Sequence, residues 1–428
     1  MSTDAPTHLL TKRDGGVWVE DVNLNALATA VGTPTYVYSK AYITAAVAHL
    51  NNAFASVPTN IHYAVKANSN LSILQLFAEL GCGFDIVSSG ELSRVLAAGG
   101  DPAKVLFSGV GKTTEEIDHA IKVGIECFNV ESAAELERIS SRAELLGRVA
   151  PISIRVNPNV DAQTHPYIST GLKQNKFGVL PQQALALYLQ AAKNQHLEIK
   201  GIDCHIGSQI NQIEPLLEAL THLLVLVDDL ENNNITIEHI DLGGGMGISY
   251  QNEIPLDVSE YGQAVAQIMG NRQQTLKLEP GRSLVANAGI LLSRVEYLKT
   301  SEEGSSEDAP NFAIVDAAMN DLIRPALYNA WHDILPVDTT EPGTPGIWDI
   351  VGPICESGDF IAKGRQLTLA PGQLIAIASA GAYGMVLASN YNSRDRACEI
   401  LVDQDSFSII RRRETITDQL RLEQVSAS

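Results

Sequence analysis

Cysteine is scarce in this 428-residue sequence, and none of its five cysteines belongs to a C-x-x-C pair. An odd number of scattered cysteines argues against a disulfide framework and against a zinc site, and it fits a reducing compartment. We therefore predict a cytoplasmic protein that holds no metal. The five residues are Cys82, Cys127, Cys204, Cys355 and Cys398.

Basic residues are also few relative to acidic ones. Thirty Lys and Arg stand against fifty Asp and Glu, which gives a formal net charge of −20. Such a charge repels phosphate backbones and anionic lipid surfaces, so we expect neither a nucleic acid nor a membrane as partner. No apolar run approaches the roughly 20 residues of a membrane span, and the start of the sequence lacks the features of a secretory signal.

Between about residues 60 and 280 the sequence alternates regularly between strand-like and helix-like segments. Apolar runs of strand length are separated by stretches with helical periodicity, such as Glu115–Val123 and Ala133–Leu146. About eight such units of similar length predict a (β/α)8 barrel of the TIM type, because the competing doubly wound open sheet seldom sustains so many. The predicted strands are Ile61–Lys66, Phe84–Val87, Val105–Ser108, Glu126–Val130, Ile152–Val156, Ile199–Cys204, Ile237–Leu242 and Thr275–Leu278.

After about Leu284 the pattern changes to strand-like segments separated by Gly and Pro turns, with little helical periodicity. This predicts a second, mostly β domain, which the strand-like segment Val17–Val19 would join. The strand candidates are Gly289–Lys299, Phe312–Val315, Trp348–Val351, Leu374–Ala378 and Ser406–Arg412. The predicted domains are residues 35–285 for the barrel, and residues 1–34 with 286–428 for the β-rich domain.

Polar residues or glycines follow nearly every predicted barrel strand. The carboxyl ends of parallel strands meet at one rim of a barrel, and barrel enzymes assemble their active sites there. One polar residue at a strand end would mean little, but a near-complete ring indicates a functional site. The ring consists of Lys66, Ser88, Ser108, Asn129, Asn157, His205, Gly243–Gly245 and Glu279.

Lys66 ends an apolar strand and precedes a turn. Burial in the barrel mouth would favour the neutral, nucleophilic amine that forms a Schiff base. On position alone, a surface lysine that extends its ammonium group into water is an equally good interpretation. The residues around Lys66 therefore decide between the two.

The glycines of Asp241–Gly247 let backbone N–H groups approach a phosphate without interference from Cβ atoms. The segment lacks the G-K-[ST] of a nucleotide P-loop, and a tight turn without a ligand is the alternative. Phosphate sites of barrels commonly follow the late strands, as this loop does. A phosphate site is therefore the preferred hypothesis.

Three other residues have both a chemical and a structural interpretation. Glu279 could keep a pyridine nitrogen protonated, or it could form a structural ion pair with Arg282. His205 could lie flat on a planar cofactor, or it could be an ordinary core histidine. Cys355, beside Glu356, is from its context alone an unreactive buried thiol.

Together these motifs resemble those of the fold-type III pyridoxal-phosphate decarboxylases, and within them the diaminopimelate decarboxylase family. The resemblance covers nearly the whole chain, and the joint order of the motifs is specific. It implies an alanine-racemase-like barrel and pyridoxal 5′-phosphate as cofactor. The motifs are Tyr63–Asn68, His205–Gln209, Asp241–Gly245, Glu279–Arg282, Arg324–Tyr328, Cys355–Asp359 and Gly381–Gly384.

The resemblance also implies a role for each cofactor-binding residue. Lys66 would hold the cofactor as a Schiff base, His205 would stack on its ring, and Glu279 would pair with its pyridine nitrogen. The remaining cofactor contacts would come from Ser208, Gly244, Gly245, Pro280, Gly281, Arg282 and Tyr383.

For the substrate, the resemblance implies carboxylate contacts, an ammonium contact at Glu356 and a homodimer with shared sites. Cys355 and Glu356 would enter the site from the neighbouring subunit. Cys355 would protonate the carbon that has lost carbon dioxide. The other substrate-binding residues would be Arg282, Arg324, Tyr328 and Tyr383.

Two arginines suit a substrate that carries a second carboxylate. The predicted reaction is therefore decarboxylation of meso-2,6-diaminopimelate to L-lysine, the last step of lysine biosynthesis. Decarboxylation of ornithine, arginine or carboxynorspermidine is the alternative. A catalytically silent, cofactor-binding regulator is a third hypothesis, which the presence of Lys66, Glu279 and Cys355 opposes.

Overall fold

The computed structural model describes residues 9–161, 176–301, 310–338 and 342–426. The chain divides into two compact units, which we call the barrel unit and the β-rich unit. The barrel unit contains Ala46–Ser249 and Glu253–Ser283, and the β-rich unit contains Ala5–Ala45, Tyr250–Asn252 and Leu284–Ser428. The domain boundaries predicted from the sequence remain a prediction.

The N-terminal segment forms a small antiparallel sheet, one helix and a strand that precedes a second helix. The side chain of Asn23 caps the first helix, because its Oδ1 accepts from the N–H groups of Asn25 and Ala26. The elements are β1 (Leu10–Arg13), β2 (Gly16–Val19), β3 (Val22–Asn23), α1 (Leu24–Val31), β4 (Thr35–Ser39) and α2 (Lys40–Ala53).

Eight parallel strands of the barrel unit form a closed barrel. The last of them pairs with the first, with Leu278 opposite Ile61, which closes the ring. This confirms the predicted (β/α)8 barrel and excludes the open sheet. The strands are β5 (Thr59–Ala64), β6 (Gly83–Ile86), β7 (Val105–Phe107), β8 (Cys127–Val130), β9 (Ala150–Arg155), β10 (Leu197–Asp203), β11 (His239–Asp241) and β12 (Thr275–Leu278).

Helices follow these strands, and several of them begin at polar caps. Asn70 and Ser88 each accept a hydrogen bond from the first turn of their helix, and Thr113 forms a capping box with Glu116. Within the described ranges, no helix is long and apolar enough to span a bilayer. The helices are α3 (Leu71–Glu79), α4 (Ser89–Ala97), α5 (Thr114–Val123), α6 (Ala133–Leu145), α7 (Pro181–Ala191), α8 (Glu214–Asn232), α9 (Val258–Met269) and α10 (Arg282–Val285).

The β-rich unit is built on a sheet in which β4 lies among strands from the end of the chain. The main strand order is β17-β16-β14-β13-β4-β19-β20, and β18 pairs with β13 and β15. The N-terminal segment thus belongs to the β-rich unit, as predicted. The elements are β13 (Gly289–Lys299), β14 (Asn311–Val315), α11 (Arg324–Tyr328), β15 (Ile334–Pro336), β16 (Thr344–Val351), β17 (Phe360–Leu369), β18 (Leu374–Ile377), β19 (Cys398–Asp403), β20 (Ser406–Arg411) and α12 (Ile416–Leu420).

Candidate active site

Lys66 lies in a short 3₁₀ turn, Val65–Ala67, directly after β5. Its Nζ donates a hydrogen bond to Oδ2 of Asp85 at 2.9 Å. Asp85 lies within β6 and is fully buried, whereas 39% of the Lys66 side chain is exposed. A buried carboxylate thus holds the ammonium group of a lysine that reaches solvent at the barrel mouth. The sequence prediction missed Asp85, although a charged residue inside the apolar segment Gly83–Ile86 was a usable signal.

Three further carboxyl groups lie together inside the barrel. Asp203 ends β10, Asp241 ends β11, and Glu279 directly follows β12. All three residues are buried, and their side-chain oxygens lie within 4.8 Å of one another. Burial and the neighbouring acids raise the pKa of Asp203 and of Glu279 well above the ordinary value, and burial raises the pKa of Asp241. This concentration of carboxyl groups favours a cationic group, such as a protonated ring nitrogen.

The carboxylate of Glu279 contacts an amide with a fixed orientation. Nδ2 of Asn129 donates to Glu279 Oε1 at 3.4 Å and to the Ser108 hydroxyl at 3.1 Å. Because both neighbouring groups accept hydrogen bonds, the NH2 group of the Asn129 amide must face them, and its carbonyl oxygen points away. Among the described residues, Glu279 does not form the ion pair with Arg282 that the sequence allowed. Instead, Nη2 of Arg282 donates to the Ser208 hydroxyl at 3.0 Å.

The imidazole of His205 is held in one tautomer and in the neutral form. The N–H of Gly244 donates to its Nδ1 at 3.2 Å, which leaves the ring proton on Nε2. Desolvation and the positive charges of Arg155 and Lys66 lower the pKa of His205 well below its ordinary value. The side chain is half-buried at the rim. A neutral, fixed ring at the rim is able to lie against a planar cofactor, and this role of His205 stays a prediction.

The backbone of the glycine loop Gly243–Gly245 packs directly against the backbone of neighbouring segments. A Cβ on Gly244 would overlap the carbonyl oxygen of Glu279, and a Cβ on Gly245 would overlap that of Gly207. Gly245 also has φ 95°, a conformation that favours glycine. The loop therefore needs glycine for its own conformation, and its contact with a phosphate stays a prediction.

The residues after β12 pack against the turn that carries Lys66. The carbonyl of Pro280 accepts from the N–H of Ala64 at 3.1 Å, and a Cβ on Gly281 would lie 3.0 Å from Cβ of Ala67. The barrel unit thus brings most of the predicted cofactor residues to one mouth. They are Lys66, His205, Ser208, Gly244, Gly245, Glu279, Pro280, Gly281 and Arg282.

Arg324 begins α11 in the β-rich unit and is buried. Its Nη1 lies 2.9 Å from Nε2 of His332, and its guanidinium carbon lies 4.6 Å from the ring centroid of Tyr250. Tyr328 ends the same helix and is half-buried. Neither His332 nor Tyr250 was singled out from the sequence, because no local pattern links them to Arg324.

Tyr383 has φ 55°, in the left-handed region that residues other than glycine seldom adopt. Such backbone strain is concentrated at functional sites. The neighbouring Gly381 has no room for a side chain, because a Cβ there would overlap the carbonyl oxygen of Val285. Ten other residues besides glycine also have a positive φ among the described residues, so the functional role of the segment Gly381–Gly384 stays a prediction.

Cys355 is exposed, whereas the other four cysteines are buried. Its Sγ lies 3.5 Å from Oδ1 of Asn392. The adjacent Glu356 is exposed as well, and its carboxylate accepts a hydrogen bond from the hydroxyl of Tyr391. The interpretation of Cys355 as a buried thiol is therefore wrong, since the loop presents both side chains at the surface of the chain, whereas the reactivity of the thiol stays a prediction.

Residues 40–286 match the family described as pyridoxal-dependent decarboxylase, pyridoxal binding domain. The whole chain resembles diaminopimelate decarboxylases. It is 56% identical over 406 residues to that of Pseudomonas aeruginosa, covering 95% of this chain and 96% of the relative. It is 55% identical over 404 residues to that of Neisseria meningitidis serogroup B, covering 94% and 96%. The chain belongs to the diaminopimelate decarboxylase family.

A solved diaminopimelate decarboxylase has the same fold. The Helicobacter pylori enzyme, complexed with L-lysine, has a TM-score of 0.89 and 44% sequence identity, covering 94% of this chain and 99% of that one. The predictions of a TIM-like barrel with a β-rich domain and of a pyridoxal-phosphate-dependent decarboxylase are confirmed. As a member of the diaminopimelate decarboxylase family, the chain is an enzyme and not a silent regulator.

Proposed function

We propose that this chain decarboxylates meso-2,6-diaminopimelate to L-lysine and carbon dioxide, the last step of lysine biosynthesis. One observation carries the proposal. At a single barrel mouth, a buried aspartate holds the amine of Lys66, and a buried glutamate, Glu279, directly follows the last barrel strand, where burial and the neighbouring acids raise its pKa well above the ordinary value. The identity of 56% to a diaminopimelate decarboxylase supports the choice of substrate.

The barrel mouth fits pyridoxal 5′-phosphate. It offers a lysine amine, a neutral imidazole, a glycine loop without side chains and a buried carboxyl group. When bound, the cofactor supplies an electron sink for the bond that breaks. We assign the covalent link to Lys66, the ring face to His205 and the ring nitrogen to Glu279. We assign the phosphate and further contacts to Ser208, Gly244, Gly245, Pro280, Gly281, Arg282 and Tyr383.

With the cofactor bound, Glu279 would hold a proton on the ring nitrogen. A buried carboxylate stays ionised only beside a positive partner, and burial raises the pKa of Glu279 well above its ordinary value. The charge of Lys66 opposes this shift in pKa. The N–H of Asn129 also favours the ionised carboxylate. Glu279 is thereby prepared to bind a cationic ring nitrogen.

The substrate residues follow from its two carboxylates and two ammonium groups. Arg282, Arg324 and Tyr328 bind the carboxylate that the product keeps, and Tyr383 adds a further contact. Arginine suits this role because its planar guanidinium can donate two parallel hydrogen bonds to one carboxylate. Glu356 binds the distant ammonium group.

We also propose a homodimer in which Cys355 and Glu356 enter the site of the neighbouring subunit. The exposure of both side chains supports this arrangement. The Cys355 thiol delivers a proton to the carbon that has released carbon dioxide. If the sites are shared, inactive Lys66→Ala and Cys355→Ala chains that are mixed and allowed to exchange recover activity, up to about a quarter of wild type for random pairing. No recovery in a mixture shown to contain hybrid dimers would contradict shared sites.

We further propose that the protein works in the cytoplasm. All five cysteines are free, and four of them are buried. Free, scattered thiols are typical of proteins in a reducing compartment.

The function is tested by carbon dioxide release from meso-diaminopimelate, ornithine, arginine and carboxynorspermidine, each assayed with wild type and Lys66→Ala. We expect release from meso-diaminopimelate with wild type alone. Lys193→Ala, at an exposed lysine of the barrel unit, is the control and keeps full activity. Faster release from ornithine, arginine or carboxynorspermidine would favour the alternative substrate class. Absence of a cofactor absorbance band in the purified protein would contradict the proposal that it is a pyridoxal-phosphate-dependent enzyme.

A further inference from the structure

A fully buried histidine contacts the arginine that we assign to the substrate carboxylate. Nη1 of Arg324 donates to Nε2 of His332 at 2.9 Å, and His332 has no exposed surface. Because a guanidinium can only donate, Nε2 must be the unprotonated nitrogen. The ring proton then lies on Nδ1, which donates to the carbonyl of Ala378 at 2.8 Å. Both ring nitrogens are thus used, each in one role.

Further contacts hold the histidine and the arginine in place. Nη2 of Arg365 donates to the backbone carbonyl of His332 at 2.9 Å. The ring of Tyr250 meets the His332 ring edge to face, with centroids 5.5 Å apart, and also lies under the Arg324 guanidinium. A change in the rotamer of Arg324 would break the hydrogen bond and the cation–π contact together.

We propose that His332 is a positioning residue for the decarboxylation, and this inference rests on the proposed function. His332 fixes one N–H of Arg324, so that the guanidinium has a set orientation for the carboxylate that the substrate keeps. A misplaced binding group weakens recognition strongly even when the group itself is present. His332 therefore helps to set the preference for a substrate with two carboxylates.

Two substitutions of His332 test its two hydrogen bonds one at a time, because each keeps one bond and removes the other. A glutamine side chain reaches far enough to offer a carbonyl oxygen near the position of Nε2, so His332→Gln keeps an acceptor for Arg324. An asparagine side chain reaches the position of Nδ1, so His332→Asn keeps a donor to Ala378 and removes the acceptor that Nε2 offers to Nη1 of Arg324. The two variants together distinguish positioning of Arg324 from support of the backbone at Ala378, which follows β18.

We expect His332→Asn to raise KM for meso-diaminopimelate by about 10- to 100-fold while kcat stays within about threefold. His332→Gln should stay within about fivefold of wild type in KM. Inhibition by L-lysine, which keeps the carboxylate, should weaken in parallel with KM. Inhibition by 1,5-diaminopentane, which lacks a carboxylate, should not change.

Unchanged KM and unchanged L-lysine inhibition in His332→Asn would overturn the inference. Equally weakened inhibition by both compounds, or an equal rise in KM for His332→Gln and His332→Asn, would also overturn it, because either result assigns His332 to the fold alone.

The variant Arg324→Met is measured together with the two His332 variants. If Arg324→Met leaves KM unchanged, the assignment of Arg324 fails and the role of His332 fails with it. If Arg324→Met raises KM and His332→Asn does not, only the inference about His332 fails.

Discussion

Oδ2 of Asp85 accepts a hydrogen bond from Lys66, while Oδ1 of the same carboxylate has no partner among the described residues. Removing a carboxylate from water costs several kcal/mol, and a single half-exposed lysine offsets only part of that cost. The pair is therefore poorly explained as a stabilising ion pair. Because the pair lies at the barrel mouth, we infer that Asp85 serves to hold the amine of Lys66 in position.

Replacement of Asp85 by asparagine should separate stability from activity. Asp85→Asn removes a buried charge at nearly constant shape, so the melting temperature should hold or rise by a few degrees. The orientation of Lys66 is lost, so kcat/KM should fall by about tenfold or more. Thermal unfolding and steady-state kinetics on the same preparation test both parts. A fall of several degrees in melting temperature, or wild-type kinetics, would contradict this explanation.

A methyl group on Gly244 should disrupt the site. Gly244→Ala pushes a Cβ into the carbonyl oxygen of Glu279, where only a backbone shift can relieve the overlap. We expect a loss of about 2 kcal/mol or more of stability and weakened retention of the cofactor, measured from its absorbance after gel filtration. Gly111→Ala is the matched control, because a Cβ at exposed Gly111 would meet nothing within 4 Å. Equal behaviour of the two variants would show that the loop tolerates the methyl group.

Cys355 should be the thiol that reacts with alkylating reagents in the native protein. It is exposed, whereas burial raises the pKa of Cys82 to about 12 and raises the pKa of the other three buried thiols. Iodoacetamide should therefore modify one cysteine per chain and abolish activity, with L-lysine slowing the reaction. Peptide mass spectrometry identifies the modified residue. Cys355→Ala should take up no label under the same conditions, and modification of a buried cysteine first would refute the prediction.

Glu126 should make stability depend on pH in acid. Burial raises the pKa of Glu126, but the hydrogen bond and charge of His62 and the charge of Lys277 outweigh burial and lower the pKa to about 2. Because the pKa is depressed on folding, the stabilisation is complete above the ordinary value of 4.5 and is lost as the pH falls towards 2. Glu126→Gln should therefore cost about 3 kcal/mol at pH 7 and less than half of that at pH 3.

Urea unfolding at the two pH values measures the effect of Glu126→Gln. Glu296→Gln, at an exposed glutamate of β13, is the control and should match wild type at both values. A constant difference between wild type and Glu126→Gln across the two pH values would mean that packing, and not the charge of Glu126, is responsible.

Much of the barrel and its rim was predictable because the physical signals are local. An apolar run followed by a polar residue and a helical repeat marks one strand–helix unit, and parallel strands place all such polar residues at one rim. Lys66, His205 and Glu279 were found in this way, and the observed strands β5–β12 confirm the predicted ones to within a few residues.

What the sequence did not predict depends on contacts between distant residues. The strands β17 and β19 were missed because charged residues interrupt their apolar runs. Glu399 of β19 is buried nonetheless, since Arg411 and the hydroxyl of Tyr38 bind its carboxylate. His332 could not be identified from the sequence either. Its role depends on contacts with Arg324 and Ala378, and its neighbours in sequence do not indicate these contacts.

The pairing of β4 has a consequence for how the chain is made. Thr35 lies opposite Cys398, whereas the barrel strands find their partners among residues 59–278. At ordinary rates of synthesis, β4 leaves the ribosome on the order of half a minute before β19 exists. An unpaired strand edge readily joins the edges of other chains. In every newly made chain, the edge of β4 that pairs with β19 therefore stays without that partner until Cys398–Asp403 has been translated.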